Sequence, residues 1–182
     1  MEAPHIQLDG DQANACRHLF AGKYVALVGP AGCGKSVVVR AVVDETRKRF
    51  GPSAVLTLAW TGSAAQLVEG RTLASVLRTT VGDPSKESIL RRVTGDAELL
   101  TVMKRTKLVV IDEAPTIEGR WMDRLEYVLR RTALTLVDEC KPFGGRRILG
   151  ELLCDSSGFC YWLSVPGCAR APQLLNMYNS LT

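Results

Sequence analysis

The sequence has 182 residues, of which 46% are hydrophobic and 23% are charged, and its formal net charge is +4. This is ordinary globular composition, and the length is enough for one domain with a real core but short for two. The mild positive charge permits nucleic-acid binding without requiring it.

The cysteines and the N-terminus argue against secretion and membrane insertion. None of the six cysteines forms a C-x-x-C pair, and a disulfide framework is unusual in a chain of this length. The N-terminus is polar and acidic, and no apolar run reaches the length of a membrane span. The sequence therefore predicts an intracellular protein with reduced thiols, no zinc site and no membrane contact.

The first predicted elements are a helix over residues 9–20 and a strand over residues 23–28. Apolar side chains recur on one face of the helix, and Gly22 closes it. Asp9 and Gln12 stand three residues apart, which fits a capping box at the start of the helix.

Residues 29–36 read GPAGCGKS, the spacing of a phosphate-binding loop. Glycines let the backbone turn tightly and present its N–H groups to an anion, and a helix over residues 37–50 would complete the anion site. Lys35 supplies a point charge for the outer phosphates, and Ser36 supplies a hydroxyl for Mg²⁺. A glycine-rich turn between two core elements is the alternative, which the strand–loop–helix context disfavours. The predicted nucleotide-binding residues here are Gly29, Gly32, Cys33, Gly34, Lys35 and Ser36.

The next stretch alternates between buried and polar segments. Residues 54–59 form an apolar run typical of a parallel strand, and residues 60–68 are a turn that enters a short helix. Residues 70–75 lead into a second short helix that ends near residue 79. Residues 80–96 are polar and predict a loop at residues 82–84, and residues 97–104 predict a helix.

Residues 108–113 read LVVIDE, a buried strand that ends in two carboxylates. Ligands of open α/β sheets bind at the carboxyl ends of the strands, which places Asp112 where phosphate-bound Mg²⁺ would lie. Metal and water chemistry explains Asp112 and Glu113 better than a solvated face does. An amphipathic core helix over residues 119–131, a turn at residues 141–145 and a strand at residues 146–149 follow. The whole pattern predicts a three-layer α/β fold with a mostly parallel sheet.

Taken in order, these stretches resemble the petite-integration-frequency (Pif-type) DNA helicases, in the B branch of superfamily one, including their transposon-encoded relatives. The resemblance runs from about residue 8 to residue 150. It is carried by LDGDQ at 8–12, the phosphate loop, TGSAA at 61–65, GRTLAS at 70–75, DEAP at 112–115 and KPFGG at 141–145. Ala74 stands where the family pattern has His.

This resemblance implies a RecA-like, ATP-binding helicase domain over residues 1–150 that uses ATP and Mg²⁺ and binds single-stranded or forked DNA. It implies that Gln12 reads adenine, that Ser36 and Asp112 hold Mg²⁺, and that Lys35 and Glu113 are catalytic, Glu113 by orienting the attacking water. It places residues 146–149 between the strands that carry Ser36's loop and Asp112. It also implies 5′–3′ unwinding in DNA repair, recombination and telomere or genome maintenance, in the nucleus or alternatively the mitochondrion. The implied DNA-binding residues are Trp60, Thr61, Gly62, Ser63 and Thr72.

After Gly150 the chain departs from the family pattern. The family continues into G-D-F-x-Q-L-P-P, which couples nucleotide state to DNA, whereas this chain reads GELLCDSSG at 150–158. A second motor domain, which would supply arginine fingers, is not in these 182 residues. We therefore expect an atypical tail at residues 151–182 and no unwinding by this chain alone.

Three alternatives stay open from the sequence. The chain is a helicase motor domain, or it is a catalytically inactive nucleotide-binding module or small P-loop kinase. Gln12 either reads adenine or only caps its helix. Trp60 either stacks on a DNA base or packs in the core, and the sequence favours neither.

Overall fold

The computed structural model describes residues 7–79, 83–153 and 160–164. Six strands form one sheet in the order β3-β2-β4-β5-β1-β6. The five strands from β3 to β1 are parallel, and β6 runs antiparallel to β1. The strands are β1 (Tyr24–Gly29), β2 (Val55–Ala59), β3 (Arg71–Thr72), β4 (Leu108–Ile111), β5 (Arg147–Leu153) and β6 (Cys160–Ser164).

Helices cover both faces of this sheet and connect its strands. They are α1 (Gly10–Phe20), α2 (Lys35–Phe50), α3 (Gly62–Leu67), α4 (Leu73–Val76), α5 (Lys86–Gly95), α6 (Ala97–Arg105), α7 (Gly119–Arg131) and α8 (Leu136–Glu139). Short 3₁₀ turns occupy Pro52–Ala54, Ala114–Thr116 and Pro142–Gly145. No helix in the described ranges has the length and apolar character that crossing a membrane requires.

The central strand β4 shows why the chain folds in three layers. All four of its residues are buried, and successive side chains point to opposite faces. Leu108 and Val110 pack with α1 and α2, whereas Val109 and Ile111 pack with helices α4 to α7 on the other face. A strand buried on both faces needs helices on both sides, so the predicted three-layer α/β fold is confirmed.

β5 lies between β4 and β1, as the resemblance implied. Ile111 pairs with Gly150, and Leu27 pairs with Glu151, in parallel register. The boundary drawn at Gly150 falls inside β5, because this strand continues to Leu153. β6 then adds five residues of the expected tail to the sheet beside β1. Residues 154–159 and 165–182, the rest of that tail, lie outside the described residues, and its separation from the domain stays a prediction.

The polar stretch at residues 80–96 contains a helix that the sequence analysis missed. α5 begins after Ser85, whose hydroxyl accepts a hydrogen bond from the Ser88 N–H at 3.2 Å. Few residues of α5 are apolar, but Ile89 and Val93 lie four residues apart on one face of the helix and are fully buried. Two well-placed apolar residues and a cap are therefore enough for a helix here. Of the predicted loop at residues 82–84, Gly82 lies outside the described residues.

Arg146 holds the helical layer next to β5. Its buried guanidinium donates to carbonyl oxygens at the ends of α6 and α7 and in the 3₁₀ turn that precedes β5. Burial lowers the pKa of Arg146 to about 10, so the side chain is still a cation at neutral pH. The four acceptors are the carbonyls of Met103 (2.7 Å), Leu129 (2.5 Å), Thr132 (3.2 Å) and Phe143 (3.2 Å).

Candidate nucleotide site and nucleic-acid surface

The phosphate loop connects β1 to α2. Gly32 (φ 80°) and Gly34 (φ 91°) adopt left-handed backbone conformations that other residues rarely adopt. Gly34 caps α2, and Lys35 is the first residue of that helix. The Lys35 ammonium is buried and donates to the carbonyls of Gly29 at 2.6 Å and Pro30 at 2.8 Å. The loop therefore presents glycine backbone and a lysine at a helix start, the chemistry of a phosphate cradle.

Gln12 packs α1 against this loop. The predicted capping box is present, because the Asp9 carboxylate accepts from the Gln12 N–H at 2.8 Å and the Gln12 side-chain oxygen accepts from the Asp9 N–H at 3.1 Å. A side chain at Gly34 would overlap the Gln12 amide nitrogen. One end of the Gln12 amide thus closes the cap while the other faces the loop. The geometry is compatible with both readings of Gln12, and adenine recognition stays a prediction.

Asp112 and Glu113 directly follow β4 at its carboxyl end. The Asp112 N–H donates to the Leu58 carbonyl at 2.9 Å, which extends the β2–β4 pairing by one residue. Glu113 adopts a left-handed conformation (φ 47°, ψ 48°), and its carbonyl accepts from the N–H and the hydroxyl of Thr116. This strained turn leaves Glu113 exposed while Asp112 stays partly buried. Burial, reinforced by the charge of Glu113, raises the pKa of Asp112. The ionised carboxylate is thus destabilised, and a bound cation would stabilise it.

Glu151 is a third carboxylate of this site, and no sequence motif marks it. The pairing of Ile111 with Gly150 brings Glu151 level with Asp112 on the adjacent strand. By strand alternation both side chains point to the face that carries α2, since Leu149 and Val110 pack there. Burial and the charge of Asp112 raise the pKa of Glu151, and the charge of Lys35 partly opposes them. Glu151 lies within β5, and its place in the site follows from the pairing of β5 with β4, which no local sequence pattern reveals.

The donors of this site suit magnesium that is bound together with phosphate. Within the described ranges, no group of three or more His, Cys, Asp or Glu side chains could hold a metal by itself. Ser36 offers an exposed hydroxyl and Asp112 a carboxylate, which are hard oxygen ligands. Mg²⁺ usually takes one or two such protein ligands, with phosphate oxygens and waters completing its shell. The residues present therefore fit an Mg²⁺–nucleotide complex.

The implied DNA-binding residues lie just beyond the carboxyl end of β2 and at the carboxyl end of β3, where Thr72 is the last strand residue. Ala59 pairs with Thr72, so the turn after β2 and the turn after β3 are neighbours. Thr61 and Thr72 each cap a short helix, accepting from the N–H groups of Ala64 (3.2 Å) and Ser75 (3.1 Å). Trp60, Thr61, Gly62 and Ser63 are all exposed.

Gly70 allows this approach of the two turns. A Cβ atom built on Gly70 would lie 2.7 Å from the Thr57 carbonyl oxygen, a distance too short for a Cβ–oxygen contact. The β3 turn can therefore reach β2 only with glycine at this position. This geometry brings Thr72 to the same edge of the sheet as residues 60–63.

Comparison with known proteins identifies the family to which a domain with these features belongs. A model of the PIF1-like helicase family matches residues 7–154. The chain belongs to the PIF1-like helicase family. The resemblance inferred from the ordered motifs is thereby confirmed, and an unrelated small kinase is excluded.

Among proteins of this family, the chain is 28% identical over 125 residues to the ATP-dependent DNA helicase RRM3 of Saccharomyces cerevisiae, covering 69% of this chain and 17% of that protein. It matches the crystal structure of the Pif1 helicase from Candida albicans with a TM-score of 0.69 and 25% identity, over 80% of this chain and 32% of that one. Bacteroides Pif1 bound to single-stranded DNA matches with a TM-score of 0.57 and 21% identity, over 81% and 32%, which shows the fold. The chain spans between about a sixth and a third of the length of these relatives.

The structure brings the predicted site residues of this PIF1-like domain to one edge of the sheet, in two neighbouring groups. The first group surrounds the phosphate loop with Gln12, Lys35, Asp112 and Glu113, to which the structure adds Glu151. The second group is formed by residues 60–63 and Thr72. Their individual roles in nucleotide and DNA binding stay predictions.

Proposed function

We propose that this chain is the nucleotide-binding motor domain of an ATP-dependent DNA helicase, and that it binds ATP with Mg²⁺ and single-stranded DNA. One observation carries the proposal: the phosphate loop, the two acids after β4 and the two threonine-capped turns meet at one carboxyl edge. Ligands of open α/β sheets bind at this edge. The names of the relatives, which are ATP-dependent DNA helicases, support the same function.

Each residue of the nucleotide group has a distinct role in this proposal. The Lys35 ammonium neutralises charge on the outer phosphates. Its hydrogen bonds to the carbonyls of Gly29 and Pro30 already hold it inside the phosphate loop, at the start of α2. Ser36 and Asp112 hold Mg²⁺, which supplies electrostatic stabilisation of the transferring phosphoryl group when bound. Glu113 accepts a hydrogen bond from the attacking water and orients it, and its exposed position allows water to reach it. Gln12 contacts the base through the amide nitrogen that faces the loop.

Finer aspects of the function follow from the family alone. We propose 5′–3′ movement on DNA, with single-stranded or forked DNA as the partner, and a role in DNA repair, recombination and telomere or genome maintenance. The proposed location is the nucleus, with the mitochondrion as the alternative. Bacteroides Pif1 has been crystallised with single-stranded DNA, which supports the choice of DNA partner.

A nucleotide-binding module without catalysis is the second candidate. It is favoured by the stretch at 150–158, which has Glu151 and Leu152 but no coupling glutamine or paired prolines. In that case ATP would bind but would not be hydrolysed, with or without DNA. Hydrolysis measured with and without single-stranded DNA separates the two candidates.

Titration with a fluorescent ATP analogue tests the nucleotide site. Lys35→Ala should abolish binding, because no other cation in the described loop replaces the buried ammonium. Glu113→Gln should keep binding and lose any hydrolysis. Lys48→Ala is the matched control, since Lys48 is exposed near the other end of α2 and should leave affinity unchanged. Unchanged affinity in a folded Lys35→Ala variant would refute the site.

A further inference from the structure

Trp60 is an aromatic residue at the edge of the proposed DNA surface. It directly precedes Thr61 and keeps 36% of its surface exposed, so it is not a core residue. Its ring lies 6.2 Å from the ring of Trp121 between centroids, tilted by 56°. The exposed part of this indole is apolar surface in contact with water. Because a second indole supports the ring, it is well suited to contact a planar ligand.

Trp121 supports Trp60 from inside the fold. It lies in the first turn of α7 and packs against the buried cluster that contains Ile117 and Leu125. The Arg124 guanidinium lies 4.4 Å from the centre of the Trp121 ring, within the range of a cation–π contact. Trp121 is therefore fixed on the core side, and through it the orientation of Trp60 is restricted.

Arg124 is a buried cation that an ion pair holds in place. It is 7% exposed, and it forms an ion pair with Asp83, at the start of the chain segment that leads into α5. That hydrogen bond lowers the pKa of Asp83, so the acid is a carboxylate at neutral pH. A planar guanidinium can face an indole and reach a carboxylate at once, which a lysine cannot do equally well. A continuous series of contacts thus runs from Asp83, before α5, through Arg124 and Trp121 of α7 to Trp60.

We propose that Trp60 is a stacking platform for one unpaired base of single-stranded DNA, and that Trp121 and Arg124 are positioning residues that hold its ring. The inference rests on the proposed function and adds a base contact to a surface otherwise made of threonines and backbone. Bases stack on aromatic side chains without regard to sequence, because each base has a π face. A platform at this position would suit a motor domain that grips DNA of any sequence.

Matched oligonucleotides separate base stacking from phosphate binding. The 182-residue chain is titrated at low salt with labelled oligothymidylate and with an abasic oligonucleotide of the same length and charge, followed by fluorescence anisotropy. Binding to oligothymidylate should be between about 5-fold and about 100-fold tighter than binding to the abasic strand. Trp60→Ala should weaken binding to oligothymidylate to the level that the wild-type chain shows for the abasic strand, because the base then has no ring to stack on. Phe50→Ala is the control, because Phe50 is a similarly exposed aromatic at the other end of α2.

The positioning residues are tested by conservative rescue. Trp121→Leu and Arg124→Lys should each reduce the base preference, whereas Trp121→Phe should keep most of it, since an aromatic ring still supports Trp60. Thermal unfolding and ATP-analogue binding of each variant report whether it is folded. If Trp121→Leu does not fold, the pairs Trp60→Ala against Trp60→Phe and Trp121→Phe against wild type still decide the inference.

Two outcomes would overturn the stacking platform, and only the second would also overturn the proposed DNA-binding function. Equal binding of the two oligonucleotides by the wild-type chain would show a surface that contacts phosphates only, so the platform would be wrong and the DNA function would stand. Binding of neither strand at low salt would overturn the DNA function together with the platform.

Discussion

Glu151 shares the α2 face of the sheet with Asp112 and Lys35, and its charge is costly there. Burial and the neighbouring Asp112 raise the pKa of Glu151 despite the opposing effect of Lys35. Below the ordinary glutamate pKa, both the folded and the unfolded chain carry the proton, and Glu151 does not affect stability. As the pH rises, the unfolded chain ionises first, so the free energy of unfolding falls.

Glu151→Gln should therefore stabilise the nucleotide-free chain at about pH 7 and have almost no effect at about pH 4. Urea unfolding at the two pH values, in the presence of EDTA, measures the difference. Glu69→Gln, at an exposed position outside the site, should change the free energy of unfolding little at either pH. A less stable Glu151→Gln at about pH 7 would mean that attraction to Lys35 outweighs the cost of burial.

At the scale of elements, α1 carries Gln12, whose side chain caps the helix and which we propose also reads the adenine base. Asp9→Ala and Gln12→Ala both break the capping box, and each should cost about 0.5–2 kcal/mol of stability in urea unfolding. Only Gln12→Ala removes the amide that faces Gly34. We therefore expect Gln12→Ala alone to lose preference for ATP over GTP, measured by competition with a fluorescent ATP analogue. Equal loss in Asp9→Ala would assign the preference to the placement of α1 rather than to the amide.

Strands β1, β2 and β4 were predictable because each carries a strong local signal, whereas β3 and β6 were not predicted. β2 and β4 are apolar runs, and β1 directly precedes the phosphate loop. β3 has only two residues, and its pairing with β2 depends on the close approach at Gly70, which no local pattern reveals. α5 was missed because its buried face consists of Ile89 and Val93 within a polar stretch.

The candidate site was predictable where motifs are continuous in sequence. The phosphate loop and the acid pair after β4 could be read directly. The site residue Glu151 and the contact of Trp60 with Trp121 could not, because each depends on which strands or helices become neighbours. Sequence spacing does not contain that information.

At the scale of the whole molecule, the proposed nucleotide site and the proposed DNA surface adjoin each other on the described sheet. The parallel strands from β3 to β1 place both on the same side, so that nucleotide and DNA would contact neighbouring turns. The chain spans 17% of its yeast relative and 32% of the Candida structure. The second motor domain expected from the family would have to be supplied by residues other than these 182.

The polypeptide of these 182 residues, expressed by itself, should bind ATP but should not unwind DNA. The family resemblance implies that unwinding needs two motor domains that alternate their grip on the strand, and that the second domain also supplies arginines to the transferring phosphate. Loss of such an arginine costs roughly a thousandfold or more in rate. Strand displacement on a duplex with a 5′ overhang measures the activity, with a full-length PIF1-like helicase as the positive control. Robust ATP-dependent unwinding by the monomer would contradict the prediction, because it would require one RecA-like domain to perform both halves of the cycle.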